Sequence, residues 1–70
     1  MLSIRERQTY LKYLGLYKGS IDGIEGRLTK EGYKSLQNKF FARKSDRDGK
    51  YGRNTDMLLV NAYNVKKYTK

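Results

Sequence analysis

The chain has 70 residues and a mass of 8.2 kDa, with sixteen Lys plus Arg against seven Asp plus Glu and a formal net charge of +9. That length holds one domain, and a core of this size contributes only about 3–5 kcal/mol, so caps and short loops matter. There is no Cys and no His. Their absence excludes a disulfide framework, a thiolate nucleophile, a His-dependent triad and a His- or Cys-ligated zinc centre within these residues.

No stretch approaches the roughly 20 apolar residues of a membrane-spanning helix. The opening residues 1–7 meet charge where a secretory leader would run apolar, so a soluble product with no export signal of its own is expected. A pI near 9.9 favours an anionic partner: nucleic acid, an anionic lipid surface, or an acidic polymer such as a bacterial cell wall. The same charge could serve only to keep a small domain in solution.

In chain order, Ser3-Ile4-Arg5-Glu6 reads as a capping box that opens a first helix over residues 4–14. Ile4, Gln8, Leu11 and Leu14 fall on one stripe of it, with Tyr10 beside them, and Gly15 supplies a left-handed stop. Residues 16–26 contain three glycines and form a structured loop. A second helix starts near residues 27–29, with Gly32, Leu36 and Phe40 repeating every fourth position and Tyr33 and Gln37 on the adjoining row. A glycine inside a helix costs about 1 kcal/mol against Ala, which close approach of a neighbouring element would explain. Residues 42–47 are a basic connection. A third helix starts near Asn54 or Thr55, has Asp56 at its positive end, and buries Leu58, Leu59, Ala62, Tyr63 and Val65. Residues 66–70 are expected to fray or to lead into a following segment.

An internal repeat organises these elements. Asp22-Gly23-Ile24-Glu25-Gly26-Arg27-Leu28-Thr29 recurs as Asp48-Gly49-Lys50-Tyr51-Gly52-Arg53-Asn54-Thr55, at a constant offset of 26. At the same offset Leu14 aligns with Phe40, Tyr10 with Leu36, Tyr33 with Leu59 and Leu36 with Ala62. The expected architecture is therefore all-α, a compact three-helix bundle with two pseudo-repeated D-G-x-x-G-x-x-T loops, helix two belonging to both copies. Within each loop, Asp22 and Asp48 can accept backbone N–H bonds two residues on, and Gly23 and Gly49 permit positive φ. Gly26 and Gly52 would let the chain pass close to its neighbours, while Thr29 and Thr55 would cap the helix starts. A calcium loop at Asp46-Arg47-Asp48-Gly49 fails on ligand count, since calcium takes about six to eight oxygens. No metal or cofactor is expected.

The run Gln8 to Gly23, with its L-G-L-Y-K-G-S-I-D-G core, followed by Gly26, Thr29 and Leu36-Gln37, resembles the peptidoglycan-binding domain family. The family pattern is approximately L-Q-x-x-L-x-x-L-G-x-Y-x-G-x-I-D-G-x-F-G-x-x-T-x-x-A-x-x-x-F-Q, followed by a second D-G-x-x-G-x-x-T. The similarity spans residues 4–63. Arg7 stands where the family prefers Leu, Glu25 where Phe is usual, Gly32 for Ala and Leu36 for Phe; Tyr51 keeps the aromatic in the second copy. The two ends of the chain resemble the N-terminal domain of phage or prophage endolysins. That resemblance implies a non-catalytic wall-binding domain over residues 1–65, with residues 66–70 a tail or the start of a linker. It also implies a downstream zinc-dependent D-Ala-D-Ala peptidase carrying its own zinc ligands, synthesis in the host cytoplasm and action at the wall.

A reader of peptidoglycan needs aromatic faces, amide hydrogen bonders and a positive field. Tyr17, Tyr33 and Tyr51 are candidate platforms, Arg27 and Arg53 candidate carboxylate forks, and Gln37 and Asn54 candidate amide partners. The positive field would also suit anionic wall polymers. Tyr33 reads equally as core, Tyr10 and Tyr63 read as core, and Tyr13 and Tyr68 take no assignment. Two other classes compete: a small nucleic-acid binder using Arg43, Lys44, Arg47, Lys50 and Arg53 against phosphates, and a protein-interaction module. Catalysis is disfavoured, because the seven carboxylates form no convincing pair and Glu6 and Glu31 already serve helix starts.

Overall fold

Ser3 does what its spacing predicts. In the computed structural model, which describes residues 1–69, its hydroxyl accepts the Glu6 amide at 3.2 Å while the Glu6 carboxylate accepts the Ser3 amide at 2.9 Å. Helix α1 follows as Ile4–Tyr13, and Gly15 reverses the chain at φ 77°. Helix α2 spans Arg27–Phe40, a single 3-10 turn covers Lys44–Asp46, and α3 spans Arg53–Tyr68. The described residues contain no strand, and all three helices pack on one another in a bundle of 31 × 28 × 20 Å.

The fully enclosed apolar centre is small: Leu11 of α1, Tyr17 of the first loop, Tyr33 and Leu36 of α2, and Leu59 of α3. Gly32 sits where α2 presses on this centre. A Cβ there would come within 3.2 Å of both a Leu11 methyl and the Leu16 carbonyl, so the close approach expected at this glycine comes from α1 and the chain leaving it. Tyr10 and Tyr63 join α1 to α3 by stacking, with ring centres 3.8 Å apart and planes 8° from parallel.

One expected core position is corrected: Val65 is 64% exposed, on the outer side of α3, and Phe40 at the end of the α2 repeat is 51% exposed as well. Helix α3 also begins at Arg53, slightly earlier than expected, and continues through Lys66 and Lys67 to Tyr68 where fraying was expected. Lys70 lies outside the described residues.

Candidate functional site

Each repeated loop is built around a buried glutamine carried by the preceding helix. Asp22 Oδ1 accepts the Ile24 amide at 2.9 Å, and Asp48 Oδ1 accepts the Lys50 amide at 2.9 Å, the expected bend two residues on. Gly23 and Gly49 take φ of 76° and 75°. Into the first bend reaches Gln8 of α1. Its Nε2 faces Asp22 Oδ1, the Ile24 carbonyl and Thr29 Oγ1 at 3.0–3.1 Å, and its Oε1 accepts the Gly23 amide at 2.9 Å. Into the second reaches Gln37 of α2. Its Nε2 donates to the Lys50 carbonyl at 2.8 Å and Thr55 Oγ1 at 3.0 Å, and its Oε1 accepts the Gly49 amide at 2.8 Å. Both glutamines are completely enclosed, and among the described residues no buried side-chain polar atom lacks a partner. Buried amides held this way stabilise a loop because leaving any of these groups unpaired costs about 1–3 kcal/mol.

This arrangement corrects several expectations. Gln37 is consumed by its own loop and presents nothing to a ligand. Thr29 and Thr55 are buried partners of the glutamines, and neither caps a helix. Gly26 and Gly52 have open space around them and take extended φ of −94° and −123° as the N-cap residues of α2 and α3, without a side-chain cap. The repeat also changes register upstream of its loops. Gln8 precedes Asp22 by 14 positions and Gln37 precedes Asp48 by 11, so the structural counterpart of Gln37 is Gln8 and the upstream pairs set by the constant offset do not correspond.

The tyrosine platforms divide. Tyr17 is buried, its hydroxyl donating to the Ser20 carbonyl at 2.6 Å and accepting from Gln8. Tyr33 is 1% exposed. It stands in a polar junction where its hydroxyl donates to Glu25 at 2.7 Å and Arg7 bonds both of them. Arg7 also lies 3.9 Å over the ring of Tyr51, whose hydroxyl donates to Asp56 at 2.6 Å. Asp56 accepts the Leu2 amide in turn, which ties the N-terminal segment to α3. Tyr51 remains half-buried. Burial and then the Glu25 acceptor push the Tyr33 hydroxyl up to about 12; burial and then Asp56 push Tyr51 up as well. The Tyr51 hydroxyl holds Asp56 below the usual carboxylate range.

Three cavities line up across the two loops. The first, about 400 Å³, is bordered by Asp22, Ile24, Arg27 and Leu28. The middle one, about 470 Å³, shares Gly26 and Arg27 with it and adds Lys30, Lys34 and Gly49. The last, about 330 Å³, shares Asp48 with the middle one and is bordered by Lys50, Tyr51, Arg53 and Asn54. Each cavity thus abuts the next through a shared lining residue, and the series is called the furrow. Its two ends are lined by equivalent positions of the repeat: Ile24 and Lys50, Arg27 and Arg53, Leu28 and Asn54. The carboxylates along it are already engaged: Asp22 and Asp48 by their bends, Glu25 by Arg7, and Glu31 by Arg27 at 3.4 Å. The outward field is that of the lysines and Arg53.

Of the residues singled out by sequence, the furrow therefore gathers Arg27, Tyr51, Arg53 and Asn54, and it leaves out Tyr33 and Gln37. Tyr17 touches it only at the edge of the first cavity. Sequence reasoning missed Lys30 and Lys34, and the exposed apolar edge made by Ile24 and Leu28, 66% and 46% exposed. Leu28 carried a signal, an apolar residue off the buried stripe of its own helix. No group of three acidic side chains converges among the described residues, and no helix is long and apolar enough to cross a membrane. No protein-family model, curated protein or solved structure matches the chain.

Proposed function

We propose that this chain is a non-catalytic module that holds a strand of bacterial peptidoglycan along the furrow and so keeps a cell-wall hydrolase on its substrate. The observation that carries the reading is the succession of adjoining cavities across both loops, with equivalent positions of the repeat at its two ends. A duplicated, elongated site suits a polymer of repeating units better than a single small ligand. Its chemistry is suitable throughout. Ile24, Leu28 and the half-buried Tyr51 offer apolar contact to sugar faces. Asn54 matches acetamido and peptide amides, and Arg53 a stem-peptide carboxylate. Lys30, Lys34 and Lys50 supply a field that also attracts anionic wall polymers.

The resemblance of residues 4–63 to the peptidoglycan-binding family supports the same reading. It extends it to an endolysin context, in which a zinc peptidase domain acts on the strand that this module retains at the wall. A nucleic-acid reading rests on the basic connection, where Arg47 already donates to the neighbouring Arg43 and Ala42 carbonyls at 3.4 Å.

Sedimentation of the 70-residue chain with purified peptidoglycan, beside a duplex-DNA arm at low and physiological salt, tests the proposal. Retention on peptidoglycan at physiological salt, with DNA binding falling away as salt rises, is the expected result. DNA binding that survives salt, with no retention on peptidoglycan, overturns it.

A further inference from the structure

A second concave surface shares no lining residue with the furrow. It is an apolar groove of about 410 Å³ between the ends of α1 and α2 and the outer stripe of α3. Leu58, Ala62 and Val65 of α3 form one wall, two helical turns or roughly 10 Å long. Leu14, Leu16 and Phe40 form the other. Phe40 and Val65 are the most exposed of these, and the leucines and Ala62 make a half-buried floor. The charged residues of the lining are Lys39 and Lys66, with no carboxylate among them. Lys66 is positioned: its Nζ donates to the Tyr13 carbonyl at 3.1 Å, which fixes the ammonium at the rim with donors to spare.

We propose that this groove docks an acidic amphipathic helix of a partner protein. An apolar floor two turns long accepts a ridge of side chains at i, i+3, i+4 and i+7, and the two rim lysines select carboxylates flanking that ridge. Charge decides against a second copy of the chain, since a symmetric pairing would bring together like-charged rims on molecules that each carry +9. Shape decides against a lipid surface, since a flat bilayer does not reach a recessed floor. Because furrow and groove share no residue, the partner and the wall can be held together.

Backbone-amide NMR titration of the 70-residue chain tests this with defined probes. One is a synthetic helical peptide of about four turns with leucines at that spacing and flanking glutamates; the other carries lysines in place of the glutamates. The expected result is saturable shifts at Leu14, Phe40, Leu58, Ala62 and Val65 with the acidic peptide, at least about tenfold weaker with the basic one. The pair Lys39→Glu with Lys66→Gln should weaken acidic-peptide binding by a similar factor, and Val65→Asp should abolish it while leaving the melting temperature unchanged. Equal binding of both peptides, absence of saturation, or shifts confined to the furrow overturn the proposal. So does the same set of amides responding to anionic lipid vesicles, or to protein concentration alone. None of these readouts depends on peptidoglycan binding.

Discussion

Arg7 of α1 and Glu25 of the first loop meet at 3.1 Å, and Tyr33 of α2 bonds both of them. A guanidinium and a carboxylate thus sit together beside two aromatic rings, each group with a partner. The pair flanks Tyr33, and the cation covers the face of Tyr51.

The two partners should not be equivalent. Arg7→Ala also removes the contact over Tyr51 and a donor to the Leu2 carbonyl, so it should lower stability by about 2 kcal/mol, against about 1 kcal/mol or less for Glu25→Ala. The pair is partly exposed, so a double-mutant cycle by urea unfolding should return a coupling of only about 0.5–1 kcal/mol.

Gln8 and Gln37 should be the most sensitive polar positions in the chain. Gln8→Ala or Gln37→Ala leaves several loop donors and acceptors unpaired and should cost roughly 2–4 kcal/mol, close to the whole stability of so small a core. Gln8→Glu separates shape from donation. It keeps the size but sets a carboxylate against Asp22, so it should be strongly destabilised at neutral pH and partly recovered in mild acid, as thermal melts by circular dichroism would show.

Among the loop glycines, substitution should discriminate sharply. Gly23→Ala forces a side chain into φ 76° and against the Arg5 side chain at 3.2 Å, and should cost about 1 kcal/mol or more. Gly26→Ser meets open space at an N-cap position with extended φ, and should be neutral or stabilising by a few tenths of a kcal/mol. Matched melting curves check the pair.

The junction predicts a stability window with two edges. Tyr33 is raised in the fold from 10.0 to about 12, so the stability it contributes is full below pH 10 and is lost as pH climbs through that interval. Asp56 is lowered, so its contribution is present above the ordinary carboxylate range and is lost as pH falls through its depressed value. Melting temperature against pH should therefore fall at both ends. Tyr33→Phe should make the alkaline limb shallower, Tyr51 carrying the rest, and Asp56→Asn the acid one, Asp22 and Glu6 carrying the rest.

Binding should respond to the exposed side chains of the furrow and not to the buried Tyr33 and Gln37. Arg53→Ala and Asn54→Ala should each reduce retention on peptidoglycan by about three- to tenfold with unchanged melting, since both side chains are exposed. Arg27→Ala should do less, because its guanidinium is shared with Glu31.

The helices and the two bends were legible because their signals are local. A capping box, a D-G pair and a glycine stop each act within four residues. The glutamines were not legible. The first loop is three residues longer on its upstream side, so a constant offset sets Gln8 opposite Lys34 and Gln37 opposite Leu11. Gln8 nevertheless left a trace, as the one polar residue on an otherwise apolar stripe. The furrow was half legible: Arg53 and Asn54 stand out by their place in the repeat, whereas Lys30 and Lys34 join it only through the rotation of α2.

Helix α2 closes one bend with Thr29 and, eight residues later, anchors the next with Gln37. Counting the same eight from Thr55 along α3 arrives at Tyr63, the ring that stacks on Tyr10. The scheme could in principle be extended link by link, each new rod locking the hairpin behind it and offering an amide to the one ahead. Tyr63 breaks that succession: in place of a third anchor it turns back to the first rod, making the end of a would-be array into the clasp of a closed ring.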